Sequence, residues 1–231
     1  MPYYYGFDRT YILVLIGLII TMIAQSNVQR AFAKYSKIST KKQITGKQTA
    51  NYILDTRGYN DIKIKQINNA MGDYFNPATK EVALSPQSIN DTSIASVAVA
   101  AHELGHVIQY KEGYTPLRIK SWLVPAVNFG SRLSLPLLFL GMILARQNLI
   151  DVGLILFSLT LIFQVVTLPV EFNASRRALR VLEESGMLVG EENTYAANML
   201  KAAAYTYVAA TLTTALQFLR MFLLFGNRNR D

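Results

Sequence analysis

Apolar runs long enough to cross a lipid bilayer constrain this chain more than any other feature. A membrane-spanning helix needs about 20 predominantly apolar residues, and four apolar stretches approach or reach that length, at residues 11–24, 133–145, 149–170 and 202–225. They explain a hydrophobic share of 51% in a chain of 231 residues, which is high for a protein without membrane segments. We therefore predict a mainly α-helical membrane protein with about four transmembrane helices.

The residues that flank the first two runs bring both to spanning length. Before the first run stand aromatic residues that suit the membrane interface, namely Tyr3, Tyr4, Tyr5 and Phe7. Most basic residues follow this run instead of preceding it, which disfavours a cleaved signal peptide. Residues 116–132 combine basic side chains with Trp122, and we expect an interfacial helix there that leads into the second span. The break at residues 146–148 is so short that the second and third spans should form an antiparallel hairpin.

Polar segments between the apolar runs divide the chain. The predicted order is a first transmembrane helix (1–25), a soluble part (26–120), an interfacial helix with a transmembrane hairpin (121–170), a second soluble segment (171–201) and a last transmembrane helix with a basic tail (202–231). The two soluble segments should together form a small α+β domain.

The first soluble part contains patterns typical of helices and of two strands. These elements are a helix at residues 45–57 closed by Gly58, strands at 62–67 and 80–84, and a helix at 94–110 capped by Asn90, Asp91 or Thr92. The second strand is either a sheet edge to which an extended peptide could pair or part of a plain structural hairpin. The small residues Ala98, Ala101 and Gly105 form a stripe on the second helix, which would let another backbone come close.

The motif His102-Glu103-Leu104-Gly105-His106 lies within that last helix and contains the chain's two histidines. Residues four apart share one face of a helix, so both imidazoles can reach one metal ion while the Glu103 carboxylate lies beside the metal-bound water. This arrangement is typical of zinc hydrolases, and it predicts a small zincin-like catalytic domain with one Zn²⁺ per chain. Only residues 94–101 of the helix lack strongly polar groups, which is too short a stretch to span and disfavours an intramembrane protease.

A third protein ligand is needed, and the chain has no cysteine and no further histidine. Catalytic zinc usually has three protein ligands, so the third should be an acid. Asp151 lies about 30 Å along the helix from Glu171 at 1.5 Å per residue, at the opposite end of the third span, and Glu112 faces away from His106. The acids at 183, 184, 191 and 192 have the pattern of solvated helix ends. Glu171 is therefore the predicted third ligand; as the alternative, it is a membrane-boundary acid that pairs with Arg176 or Arg177.

The formal net charge of +8 favours a membrane partner over nucleic acid. The basic residues cluster beside apolar runs and form no patch interleaved with aromatic residues, so we expect contact with the lipid bilayer and no binding of nucleic acid. On the side of the HELGH motif lie Arg30, Lys34, Lys37, Lys41, Lys42, Lys111, Arg118, Lys120, Arg176, Arg177, Arg180 and Lys201, against Arg9, Arg146, Arg228 and Arg230 on the other side. The positive-inside rule then predicts a multi-pass protein of the cell membrane with its active site in the cytoplasm.

The whole chain resembles the YugP-type family of neutral zinc metallopeptidases of bacterial membranes. The resemblance rests on the order of the spans and the HELGH helix, and on the segments at 35–37, 73–85, 113–117 and 168–178, the last of which reads LPVEFNASRRA. It implies a membrane metallopeptidase with His102 and His106 as zinc ligands and Glu103 as catalytic base. The layout is more distantly similar to membrane gluzincins of the CAAX-protease and HtpX type, in which an Asp stands four residues after the ligand Glu. Ser175 stands at that position here.

The predicted function is zinc-dependent hydrolysis of peptide bonds in peptides or proteins, including membrane proteins. With zinc bound, Glu103 would take a proton from water and pass it to the leaving amine. Tyr110, Arg176, Arg177 and Tyr205 are candidate donors to the oxyanion, with no basis in the sequence for choosing among them. The alternative function is a membrane protein that binds zinc without catalysis, for transport, sensing or scaffolding.

Overall fold

A computed structural model describes residues 8–69 and 72–226 of the chain. Its helices and strands are α1 (Tyr11–Tyr35), α2 (Gly46–Thr56), β1 (Lys63–Gln66), β2 (Tyr74–Asn76), β3 (Glu81–Leu84), α3 (Pro86–Asn90), α4 (Ile94–Lys111), α5 (Thr115–Ile143), α6 (Gln147–Glu184) and α7 (Glu191–Phe225). The predicted aromatic belt of Tyr3, Tyr4, Tyr5 and Phe7 and the tail residues Arg228 and Arg230 lie outside the described residues. The described chain is mainly helical with one small sheet, as the sequence predicts.

Four of these helices are long and apolar enough to cross a membrane, namely α1, α5, α6 and α7. The expected number of about four is confirmed by this count of the described residues. The helices are longer than the apolar runs inside them, and α6 continues through Pro169 at the end of its run. At 1.5 Å per residue, the 38 residues of α6 extend over about 57 Å, far more than the ~30 Å of a hydrocarbon core. The end of α6 therefore continues as a helix beyond its apolar part and carries Glu171.

The segment at residues 116–132, where we expect an interfacial helix leading into the second span, is helical and continues into that span without a break. It is the first part of the continuous helix α5, which runs through Pro125 and Pro136. Pro116 lies in the first turn of α5, where a missing amide hydrogen costs no intrahelical bond.

The described chain forms two compact units, and the first consists of residues 8–24, 119–167 and 206–226. Its helices approach each other at small and hydroxyl side chains. Thr213 Oγ1 donates to the carbonyl oxygen of Gly17 at 3.0 Å, and a Cβ atom on Gly153 would lie 3.0 Å from the carbonyl oxygen of Ser134. Such residues permit the close packing typical of membrane helices, as the Ala and Thr content of residues 202–225 predicts.

The second unit consists of residues 25–118 and 168–205 and contains the sheet. The strand order is β1-β3-β2, with β1 parallel and β2 antiparallel to β3. Helices α2, α4 and the end of α6 enclose a core with fully buried Ile53, Leu104 and Leu182. This unit brings together the two segments of the chain that hold the candidate ligands.

Of the two alternatives for residues 80–84, the sheet edge is wrong and the hairpin is confirmed, since β3 pairs antiparallel with the preceding strand β2. β3 is the central strand, and its three successive residues Val82, Ala83 and Leu84 are all buried. β1 and β2 are the edge strands on its two sides, and β2 was not one of the two predicted strands. A strand of three residues is too short to give a pattern of alternation, so its existence depends on the pairing with β3.

Helix caps agree with the sequence in one case and differ in two. Thr45 caps α2 in a capping box with Gln48, and Gly58 follows the helix at φ +66°, as expected. α4 is capped by Ser93 and not by Asn90, Asp91 or Thr92, because the short helix α3 takes Asn90 and uses Asp91 as its own C-cap.

The start of α7 also differs from the sequence interpretation. The sequence places the last span at residues 202–225, but the helix already begins at Glu191. Glu192 is buried, and its carboxylate accepts hydrogen bonds from the backbone amides of Val189 and Lys41. Its assignment as a solvated acid is therefore wrong, whereas the acids at 183, 184 and 191 are exposed.

Candidate metal centre

Helix α4 presents both histidines of the motif to one side. His102 and His106 stand four residues apart, and their rings approach edge to face with centroids 4.8 Å apart. Both are partly buried, and Leu104 between them is fully buried in the core of the second unit. The packing of α4 thus fixes which way the imidazoles face.

Helix α6 brings Glu171 to the same place. Its Oε2 atom lies 3.4 Å from Nε2 of His102 and 3.4 Å from Nε2 of His106, and the residue is only 3% exposed. The close approach depends on Gly105, where a Cβ atom would lie 2.4 Å from the carbonyl oxygen of Ala174. Ala98 and Ala101, the rest of the predicted stripe, are fully buried.

The distances from Glu171 to the two histidines match those of a tetrahedral metal site. The candidate ligand atoms of His102, His106 and Glu171 all lie within 4.8 Å of one another. Zinc–ligand distances of about 2.0–2.1 Å in a tetrahedron place two ligand atoms about 3.4 Å apart, which matches the separation of the Glu171 oxygen from each imidazole. Two neutral imidazoles and one carboxylate are also a ligand set that catalytic zinc sites use.

Glu103 is a second buried acid beside the site and lies outside that set of three. It is 7% exposed, and burial raises its pKa, while both histidines act in the opposite direction. Glu171 and Asp73 add to the rise through their negative charge. A carboxyl group with a raised pKa next to a metal position is suited to accept and release a proton.

The pKa of His106 is raised as well. Burial, the largest single influence, lowers it, but the carboxylates of Glu171 and Glu103 and the side chain of Gln109 together outweigh burial. In the metal-free protein, His106 therefore holds a proton to a higher pH than an exposed histidine.

A neutral side chain contacts the Nδ1 atom of each histidine, the ring nitrogen that does not face Glu171. Ser175 Oγ lies 3.1 Å from Nδ1 of His102, and Gln109 Oε1 lies 3.0 Å from Nδ1 of His106. Ser175 was singled out from the sequence because related gluzincins have an Asp at that position. Gln109 was not predicted. The signal for Gln109 was its position three residues after His106, on the same face of the helix.

The remaining acids and the oxyanion candidates have other partners. Glu112 pairs with Arg177, and Asp151, in the other unit, accepts a hydrogen bond from Gln147. Arg177 is thereby engaged away from Glu171, which the alternative boundary-acid interpretation would have paired with it. Tyr110 packs against Phe75, while Arg176 and Tyr205 are exposed.

Comparison with known proteins places the chain in a family. The described chain combines four helices long and apolar enough to span a membrane with two histidines and one carboxylate that could hold a metal ion. These features define the class of protein to which it belongs. Residues 10–226 match the model of a family described as "Putative neutral zinc metallopeptidase". The chain is 40% identical to "Putative membrane protease YugP" of Bacillus subtilis (strain 168) over 216 residues, which cover 93% of this chain and 96% of that protein. No solved structure matches. The chain therefore belongs to this neutral zinc metallopeptidase family.

Proposed function

We propose that this protein is a multi-pass membrane zinc endopeptidase with a zincin-like catalytic domain, in which His102, His106 and Glu171 hold one zinc ion and Glu103 is the general base. The observation that carries the proposal is the equal distance of 3.4 Å from Glu171 Oε2 to the two Nε2 atoms. The ligand atoms come from two helices, two from α4 and one from α6, and the Glu171 oxygen lies from each imidazole nitrogen at the spacing that a tetrahedral zinc site requires. Membership in the metallopeptidase family supports the same conclusion.

The reaction is hydrolysis of a peptide bond. A zinc ion at this site supplies a Lewis acid that makes water more acidic and polarises the carbonyl group of the substrate. Glu103 takes the proton released by water and returns it to the leaving amine. Burial suits Glu103 to this exchange, since it raises the pKa of the carboxyl group toward neutral pH.

The substrates are peptides or proteins, and membrane proteins are among them because the catalytic unit is continuous in sequence with four apolar helices. The basic residues expected on the catalytic side favour a cytoplasmic location for the site. Anionic lipid headgroups are partners of the same basic residues.

Zinc dependence tests the proposal. The protein purified in detergent should contain about one zinc per chain and cleave an unstructured protein such as casein or itself. A chelator should abolish cleavage, and added zinc should restore it. A variant with both His102→Ala and His106→Ala serves as the control without a site. Tightly bound zinc without cleavage of any substrate would favour the non-catalytic alternative, and cleavage by zinc-free protein would contradict the proposal.

A further inference from the structure

The side chain of Gln109 lies deeper than the candidate ligands. It is fully buried, and its two polar atoms make three hydrogen bonds, all to residues around the site. We propose that Gln109 is a positioning residue that holds His106 in the tautomer with hydrogen on Nδ1, which leaves the Nε2 lone pair for the metal. This inference rests on the proposed function for the identity of the ligand, but its test needs no hydrolysis.

The orientation of the Gln109 amide follows from an acceptor on α6. Gln109 Nε2 lies 2.8 Å from the carbonyl oxygen of Val170, and a carbonyl oxygen can only accept. The NH₂ group must therefore face Val170, so that the amide oxygen faces His106. An amide oxygen also only accepts, and at 3.0 Å from the imidazole it requires that Nδ1 of His106 donate.

Asn173 supports the same orientation from a second direction. Its Oδ1 atom accepts from Arg177 Nε at 2.6 Å and from Gln109 Nε2 at 3.0 Å. A guanidinium group only donates, so the side-chain oxygen of Asn173 must face Arg177, and the same oxygen receives the second proton of Gln109. Arg177 is itself paired with Glu112 at the end of α4. Arg177 can only donate and the Val170 carbonyl oxygen can only accept, so together they fix the orientation of the side-chain amides of Asn173 and Gln109.

The consequence is an asymmetry between the two histidines. A histidine ligand is commonly oriented by a hydrogen bond from its second nitrogen to a carboxylate, a carbonyl group or water. For His106, the uncharged amide oxygen of Gln109 is the acceptor of this hydrogen bond. His102 contacts Ser175, whose hydroxyl group can donate or accept, so that contact does not select a tautomer. His106 thus has a fixed acceptor at Nδ1, whereas the contact of His102 with Ser175 selects neither tautomer.

Nuclear magnetic resonance of nitrogen can read the tautomers directly. The chain has only two histidines, so protein grown with ¹⁵N-histidine gives two imidazole spin systems, which His102→Ala assigns. Zinc-free protein is measured at about pH 9, above the ordinary histidine pKa. His106 should carry its hydrogen on Nδ1, and Gln109→Leu should shift it toward the Nε2–H form that free imidazole side chains favour. His106 in the Nε2–H form in the unaltered protein would overturn the inference.

A pair of amide-to-acid substitutions tests the direction of the network. Asn173 uses only its oxygen in the contacts above, so Asn173→Asp should preserve zinc affinity within about threefold. Gln109→Glu replaces a donor to the Val170 carbonyl by an acceptor and should lower zinc affinity about 10- to 100-fold, the usual range for partners of metal ligands. Gln87→Leu, at an exposed glutamine of the same unit, is the control for Gln109→Leu. Equal losses from Asn173→Asp and Gln109→Glu would contradict the proposal. If the tautomers and the zinc affinities are as expected but the unaltered protein cleaves no substrate, the result would count against the proposed function and not against the role of Gln109.

Discussion

Glu171 and Glu103 carry the same functional group, and their surroundings separate their roles. Glu171 Oε2 faces both imidazoles at 3.4 Å, where it can share a metal with them. Glu103 follows His102 directly on α4, so its side chain leaves the helix in another direction, and burial raises its pKa. Under the proposed function, one carboxylate would bind the metal ion and the other would exchange a proton, a division that their surroundings alone produce.

Removal of Glu171 tests its role as the third ligand. Glu171→Ala should lower zinc affinity by more than about 100-fold, beyond the range of residues that only support ligands, and to the degree caused by His106→Ala. Asp151→Ala removes an acid in the other unit and should leave affinity unchanged. Zinc competition titrations in detergent measure all three variants. Equal, small effects of Glu171→Ala and Asp151→Ala would return Glu171 to the status of a boundary acid.

The pH dependence of zinc binding follows from the raised pKa of His106. Zinc binds the neutral imidazole, so apparent affinity is constant above the pKa of His106 and falls about tenfold per pH unit below it. Because that pKa is raised, the fall should begin above pH ~6.5, the ordinary value for histidine. Titrations between about pH 8.5 and 5 measure the onset. Glu103→Gln removes one of the charges that raise the pKa and should move the onset to lower pH; the same onset in both proteins would contradict this account.

At the scale of elements, the crossing of α4 and α6 assembles the site. The crossing point is Gly105 against the backbone of Ala174, and Glu171 and Ser175 flank it on α6. Both face α4, since residues three and four apart share a helix face. Glu171, Ala174, Ser175 and Ala178 share one face of α6 and are all buried. The distance between the two helix backbones therefore determines whether three ligand atoms meet.

A side chain at the crossing should separate the ligands. Gly105→Ala places a Cβ atom 2.4 Å from the Ala174 carbonyl oxygen, so the helices must move apart, at a cost of about 1–3 kcal/mol in unfolding free energy. Thermal unfolding and zinc titration of the variant should show loss of both stability and affinity. Gly130→Ala is the control, since its Cβ atom would lie 3.2 Å from the Leu156 carbonyl oxygen within the other unit. Unchanged zinc affinity of Gly105→Ala would exclude the crossing as the determinant of the site.

How far the sequence predicts this assembly depends on the range of the contacts. Spacing within one helix placed His102 and His106, and the small residues of α4 indicated a close partner, because both signals are local. Elimination among the acids selected Glu171, which the structure brings to the histidines. The central position of β3 and the burial of Glu192 could not be found in this way. The first depends on the pairing of β3 with β1, which skips β2 in the sequence, and the second on the amide of Lys41, far away in the chain.

At the scale of the whole molecule, the first unit has the apolar surface expected of membrane helices. Exposed apolar side chains cover α1 in the first unit, among them Ile12, Leu18, Ile19 and Met22, as expected for helices in contact with lipid. Within that unit, Arg220 near the end of α7 pairs with Asp8 before α1 at 3.3 Å. The start of α1 and the end of α7 therefore lie close together, as the predicted four crossings require.

Cysteine labelling in intact cells tests the orientation of the protein. The chain has no cysteine, so single cysteines at Lys47, Gln147 and Asn229, the last of which lies outside the described residues, report without background. An impermeant maleimide should label positions 147 and 229 and leave position 47 unlabelled until the cells are opened. Labelling at 47 alone would place the catalytic unit outside the cell and reverse the predicted topology.

The most direct test of the central claim compares zinc content and cleavage in the same Glu103→Gln preparation. Glu103 is proposed as the base and not as a ligand, so the variant should retain about one zinc per chain. Its rate of peptide hydrolysis should fall by about 10²- to 10⁴-fold, the usual contribution of a general base. Metal retained together with activity lost is the result that the account predicts. Loss of the metal, or cleavage at the rate of the unaltered protein, would contradict it.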